Sequence, residues 1–309
     1  AEAGRPPHVA MLVTPGMGHL IPLAELAKRL AARHGATATL ITFASTASAT
    51  QRAFLASLPP AITSLSLPPV DLSDLPADAA IETLMSEECV RIVPALTNIL
   101  SGLKDTTRLV ARCLFFPTNL HVLTLILHLP ELDASIPGEF RDLAEPVRLP
   151  GCVPIPGPDI LSPLQDKSNP CYRWMVHHGR RYRDAEAILV NSFDAVEPDA
   201  ARNLRTPQPG RPPVYTIGPL IKTDAADATD DKKEPRAACL EWLDRQPPKS
   251  VIFVSFGSGG SLPAEQMREL ALGLELSGQR FLWVVRSPSD EGAVNANYYD
   301  AESKRDPLP

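Results

Sequence analysis

Apolar residues along this chain come in two rhythms. Residues 8–13, HVAMLV, form a short unbroken apolar run, the pattern of a strand buried on both faces of a parallel sheet. Leu20, Leu23, Leu26, Ala27 and Leu30 then recur at helical spacing, which predicts a helix directly after that strand. TATLITFA (37–44) and ITSLSLP (62–68) predict a second and a third strand, and residues 78–107 a long helix. CLFFP (113–117) predicts another strand, with a helix over TNLHVLTLIL after it. CYRWMVHHGRRYRDA reads as a helix, and AILVNSF (187–193) and VYTIG (214–218) as strands. Further on, ACLEWLDRQ is a short helix, SVIFVSFGS a buried strand, PAEQMRELALGLELSG a helix and RFLWVVR a strand. The recurring β-α-β order makes this an α/β chain with parallel sheets.

One composition break divides the chain. KTDAADATDDKKEPR (222–236) is polar, charged and without periodicity, so it reads as an exposed linker. The expected units are 1–221, a linker over 222–237, and 238–309. The second unit holds about two strands and two helices, less than the roughly 100 residues a doubly wound sheet usually needs, so it is expected to be incomplete. Nine prolines fall between Pro130 and Pro170, which predicts an ordered loop system inside the first unit. A net charge of −6 gives no basic footprint for nucleic acid. Five cysteines lie scattered with no CxxC spacing, so free thiols are expected rather than a metal site or disulfides. The start of the chain has neither the basic nor the long apolar region of a signal peptide. HVLTLILHL falls well short of the about 20 residues that cross a bilayer. A cytoplasmic monomer without membrane insertion is expected.

Two loops carry candidate chemistry. TPGMGHL places His19 after the first strand and at the start of the first helix, on the sheet edge where open α/β folds bind ligands. Gly16 and Gly18 allow unusual backbone torsions and a close approach. The helix N-terminus favours a neutral imidazole, the form a general base needs. His19 could equally pack or cap within a tight turn. A dinucleotide fingerprint would need Gly at position 21, where Ile21 stands. The second loop, SFGSGGSL (255–262), joins a strand to a helix. It is either an anion nest for phosphate or a plain turn; no Gly-Lys-Ser/Thr follows, so it is not a P-loop. His177 and His178, beside Arg180, Arg181 and Arg183, point in different directions on a helix and suggest a solvated basic face. His121 and His128, seven apart, are expected to pack or to line a pocket.

These stretches together resemble the plant family 1 UDP-dependent glycosyltransferases, and most closely the hydroquinone (phenol) glucosyltransferase group. The strings that carry the resemblance are HVAMLVTPGMGHLIPLAELAKRL, LFFPTNL, EFRDLAEPVRLPGCVPIPG, YRDAEAILVNSFDAVEP, PVYTIGPLI, CLEWLD and SVIFVSFGSGGSL with RFLWVVRSP. The resemblance implies a GT-B fold: two Rossmann-like domains facing across a cleft, acceptor in the first and UDP-sugar in the second. It implies that His19 takes the proton of an acceptor hydroxyl, that the oxygen attacks the anomeric carbon of UDP-glucose with inversion, and that no metal or other cofactor is needed. It places Gly257, Ser258 and Gly259 on the donor phosphates. It makes Gly18, His19, Phe116 and Asn119 candidates for the acceptor pocket of a small phenol or flavonoid.

Two departures temper the expectation. The family's aspartate partner for the histidine, on a strand shortly before the equivalent of LFFPTNL, has no counterpart, because DTTRLVA runs straight into RCLFFPTNL. Asp105 precedes that gap and does not match. One β-α unit is therefore expected to be missing near 111–112, leaving unpaired backbone and an apolar gap. The family's donor-binding box is also not found. The expectation is weak or absent catalysis. Rival readings are a non-catalytic remnant or binding module that keeps a small-phenol pocket, a product that does not fold stably and, more distantly, a dehydrogenase.

Overall fold

The computed structural model describes residues 6–76, 79–106, 112–221, 237–257 and 262–285. The chain divides into two compact units, Ala1–Lys222 and Thr223–Pro309.

The first unit begins with β1 (His8–Leu12), α1 (Met17–His34), β2 (Thr37–Phe43), α2 (Ala49–Ala56) and β3 (Ile62–Leu67). The three strands are parallel, with β2 in the middle. Side chains reinforce their register: His8 Nδ1 meets Thr37 Oγ1 at 2.7 Å, His8 Nε2 meets Thr39 Oγ1 at 3.0 Å, and Thr39 Oγ1 meets Thr63 Oγ1 at 3.0 Å. The apolar stripe of α1 packs Leu20, Leu23, Ala24 and Ala27 on Met11, Val13, Ala38 and Leu40. Gly35 ends the helix in the left-handed conformation, its N–H bonded to Ala31 O, a stop that glycine makes without steric cost.

The long helix expected over 78–107 is two helices, α3 (Ile81–Arg91) and α4 (Val93–Thr106). Pro94 has no N–H to continue the ladder, and the chain turns at Ile92. Ile92 is buried with Ile41, Phe43 and Leu67 against the α4 residues Leu96, Ile99 and Leu100.

Next come β4 (Cys113–Phe116), α5 (Leu120–Ser135), α6 (Pro170–Arg181), β5 (Ala187–Val190), α7 (Pro198–Arg205) and β6 (Val214–Thr216). Strands β4, β5 and β6 form a second parallel sheet with β5 in the middle. Among the described residues no ladder joins β1 to β4. Side chains connect the two sheets instead, because Phe115 packs against the Met11–Leu20 cluster. Both strands at this break are poorly covered for a parallel sheet, with Leu12 37% exposed and Cys113 exposed.

Helix α5 lies between two cores. Leu120, Leu123 and Leu127 face β4, β5 and α7, while Leu125, Ile126 and Leu129 face Phe140, Val147, Leu149 and Tyr172. The proline-rich segment builds this second core through short 3-10 turns at Phe140–Asp142, Gly157–Asp159 and Ser162–Leu164. Pro130 sits inside α5, so the Ile126 carbonyl lacks its usual i+4 donor. Gly179 of α6 closes on that carbonyl, and Arg183 Nη2 donates to Leu127 O at 2.6 Å and to Glu131 Oε1 at 2.5 Å.

The second unit holds α8 (Ala238–Asp244), β7 (Val251–Val254), α9 (Ala264–Leu276) and β8 (Arg280–Trp283), with β7 and β8 paired in parallel. Leu274 is its buried hydrophobic residue among those described, while Phe253 is 66% exposed. The expected linker over 222–236 lies outside the described residues.

Candidate functional site

Strand β1 delivers the chain to Thr14 and Pro15 at its carboxyl end. Gly16 follows with φ 106°, a value that favours glycine, and α1 starts at once. Gly18 has no positive φ, contrary to the expectation of unusual torsions there. It is an ordinary helical residue in the first turn, exposed, with open space where a side chain would stand. His19 is half-buried one residue further on. Its Nδ1 is 2.7 Å from Pro15 O and 2.9 Å from Thr14 Oγ1. Among the described residues no hydrogen bond goes to Nε2.

The other sheet ends in the same way, at the carboxyl end of β4. Phe116 is 6% exposed and packs with Leu120, Leu123, Ile188 and Val190, its ring edge-on to Tyr182. The apolar LFF run feeds two cores, Leu114 and Phe116 packing with α5 and Phe115 against the Met11–Leu20 cluster. Asn119 caps α5, its Oδ1 accepting the Val122 N–H at 2.8 Å, the usual task of asparagine at this position. Both therefore have structural work to do beside the edge.

A group the sequence did not single out organises this end of α5. Glu197, 6% exposed, accepts the Leu120 and His121 N–H groups at 2.9 Å each and the Ser192 hydroxyl at 2.9 Å. It also pairs with His121 Nδ1 at 3.0 Å. A carboxylate held by the first amides of a helix is favoured by the dipole there. The partners are 76 residues apart in sequence, and no local signal ties them. An open hollow of about 700 Å³ beside it is lined by His121, Cys152, Pro154, Glu197, Arg202 and Asn203. His121, expected to pack or to line a pocket, is part of its lining, while Gly18, His19, Phe116 and Asn119 are not.

His178 does not belong to a solvated basic face. It stacks between Trp174 and Tyr182 and meets Ser86 Oγ of α3 at 3.1 Å. Burial lowers its pKa, with His177 adding to the shift. His128 Nδ1 donates to Thr124 O at 2.8 Å, so it is spent within its own helix. The five cysteines are free. Burial raises the thiol of Cys89 to about 11 and that of Cys171 to about 12, values that keep them unreactive. Among the described residues no cluster of His, Cys, Asp and Glu could hold a metal, and no helix is long and apolar enough to cross a membrane.

In the second unit Gly257 follows β7 with φ 82°, a torsion that suits glycine in a tight turn. Ser258 and Gly259 lie outside the described residues.

No family model matches the chain. UDP-glycosyltransferase 72B3 from Arabidopsis thaliana is 47% identical over 329 positions, taking in 99% of this chain and 67% of the relative. Hydroquinone glucosyltransferase from Rauvolfia serpentina is 45% identical over 324 positions, taking in 98% of this chain and 67% of the relative. A solved UDP-glucosyltransferase from Polygonum tinctorium, capable of glucosylating indoxyl and complexed with 3,4-dichloroaniline, superposes with a TM-score of 0.86 at 43% identity. It covers 96% of this chain, which covers 70% of it. The chain thus spans about two thirds of the length of these proteins. The first alignment is 329 positions long against a chain of 309 residues, so at least 20 positions of that relative face gaps in this one.

Proposed function

This chain belongs to the plant UDP-glycosyltransferases, proteins of GT-B fold, and from that premise we propose that it moves glucose from UDP-glucose to a phenolic hydroxyl of a small plant metabolite. His19 Nε2 takes the hydroxyl proton. The phenolate oxygen bonds to the anomeric carbon from the face opposite the phosphate, the bond from that carbon to the phosphate oxygen breaks, and UDP leaves with its electron pair. The configuration inverts, and the proton on His19 passes to solvent. The donor phosphates lie against the turn of Gly257, Ser258 and Gly259. The acceptor lies over Gly18, where a side chain would meet open space. In this reading the protein works as a cytoplasmic monomer and needs no metal.

The observation that carries the proposal is the placement of His19. It stands at the carboxyl end of β1, half-exposed, with one ring nitrogen tied to the loop beneath and the other without a hydrogen bond among the described residues. That geometry suits a general base whose substrate arrives from the open side. It also suggests slow transfer. The groups that meet Nδ1 are a carbonyl and a hydroxyl, neither of which offsets the charge of an imidazolium as a carboxylate does. The break between β1 and β4 is where we place the missing β-α unit.

The test incubates the chain with UDP-glucose and a panel of phenols and looks by mass for one added hexose. The expected result is product formed more slowly than by the Rauvolfia serpentina enzyme assayed alongside, and none from His19→Gln with unchanged thermal stability. A folded chain that binds phenols but forms no glucoside would refute the reaction and support a binding module in its place.

A further inference from the structure

The geometry points to Pro15 and Thr14 as positioning groups that hold His19 in the tautomer a base needs, a task the family resemblance gives to an aspartate. The inference rests on the reading of His19 as the base. Pro15 O lies 2.7 Å from Nδ1. A carbonyl oxygen only accepts, so Nδ1 carries the proton. Thr14 Oγ1, 2.9 Å away, is a second acceptor for the same proton. With that proton on Nδ1, the lone pair of the neutral ring stands on Nε2, the nitrogen to which no hydrogen bond goes among the described residues.

The backbone makes this possible. Gly16, at φ 106°, lets the chain enter α1 directly after Pro15. His19 N and Leu20 N both bond to Gly16 O, so the first turn is closed through the residue beyond Pro15 and leaves the Pro15 carbonyl available to the ring. Pro15 itself is buried, which limits competition from water for its oxygen. Tautomer control and charge stabilisation are thereby separated. The loop supplies the first through two oxygen dipoles and cannot supply the second, because it brings no negative charge to Nδ1.

The experiment labels the histidine rings of the full chain with nitrogen-15 and records two-bond proton–nitrogen correlations at about pH 8, above the usual histidine titration. His19 is assigned by the signal lost in His19→Gln. The expected pattern is a protonated Nδ1 and a bare Nε2. A protonated Nε2, or an even mixture, would overturn the inference. Thr14→Val removes one of two acceptors and should lower the ratio of Nδ1–H to Nε2–H about 2- to 10-fold, and Thr14→Ser should restore it. An unchanged ratio in Thr14→Val would remove Thr14 from the assignment. These signals do not depend on turnover. A bare Nε2 in a chain that forms no glucoside leaves the tautomer standing and refutes the reaction; a protonated Nε2 in a chain that forms glucoside does the reverse.

Discussion

Gly179→Ala should destabilise the first unit, although alanine is the better helix former. A Cβ built at Gly179 would lie 2.3 Å from Ile126 O, 2.9 Å from Pro130 Cδ and 3.1 Å from Pro130 Cγ. An ordinary carbon–oxygen approach is about 3.3 Å or more, so α5 and α6 would have to separate by about 1 Å. The obstacle is backbone and a proline ring, and neither can rotate away. Moving α5 would also disturb both cores it divides, Leu123 and Leu127 on one side and Ile126 and Leu129 on the other. Overpacking of this kind costs about 1–3 kcal/mol and occasionally more, against a gain of about 1 kcal/mol from replacing glycine inside a helix. With a clash this close, the upper part of the range is expected, for a net loss of about 1–2 kcal/mol. In a unit of this size that lowers the melting temperature by about 2–8 °C. Gly102→Ala is the control. Gly102 lies exposed in α4 with nothing within 4 Å of a built Cβ, and the same substitution there should stabilise by up to about 1 kcal/mol. Urea unfolding followed by circular dichroism measures both. A Gly179→Ala protein as stable as the parent would refute the close-packing argument.

Three further outcomes follow from buried polar groups and thiols. Glu197→Ala leaves the Leu120 and His121 amides and the Ser192 hydroxyl without their acceptor and should cost at least about 2 kcal/mol in urea unfolding; a loss under about 0.5 kcal/mol would deny Glu197 its organising role. Burial holds the pKa of His178 and of His8 below the ordinary histidine value, so the unfolded chain takes up protons first as pH falls. Stability should be full above about pH 6.5 and decline below it; His178→Phe should flatten that decline, and an identical slope would remove His178 as a source. A maleimide should label exposed Cys113 and Cys239 well before buried Cys171, as counted by mass; early loss of the Cys171 thiol would contradict its burial.

Much of this fold is legible from the order of residues. Most strands announced themselves as apolar runs, as strands of parallel sheets tend to, while β3, ITSLSL, mixes apolar and polar residues and is exposed at its four inner positions. Two helices escaped notice although their caps are written in the chain. Ser48 accepts the Gln51 N–H at the start of α2, and Pro198 opens α7 with Asp199 in the first turn and Arg205 in the last. Both are a little over two turns long, too short for periodicity to stand out. The position of His19 was equally legible, since a histidine between a buried strand and an amphipathic helix must lie at the sheet edge.

Sequence alone therefore determined much of the strand–helix order, the family and the position of His19 at the sheet edge, because each depends on local pattern. Only tertiary structure decided that Phe116 serves the core, that Glu197 anchors α5 from 76 residues away and that the first unit's strands, among the described residues, form two three-stranded sheets. It also decided that the Pro15 carbonyl, four residues before His19, turns back beneath its ring. The physical reason is common to all four. Hydrophobic pattern says which residues leave water, but a hydrogen bond or a steric approach depends on positions to within a few tenths of an ångström, and those are set by how the elements pack.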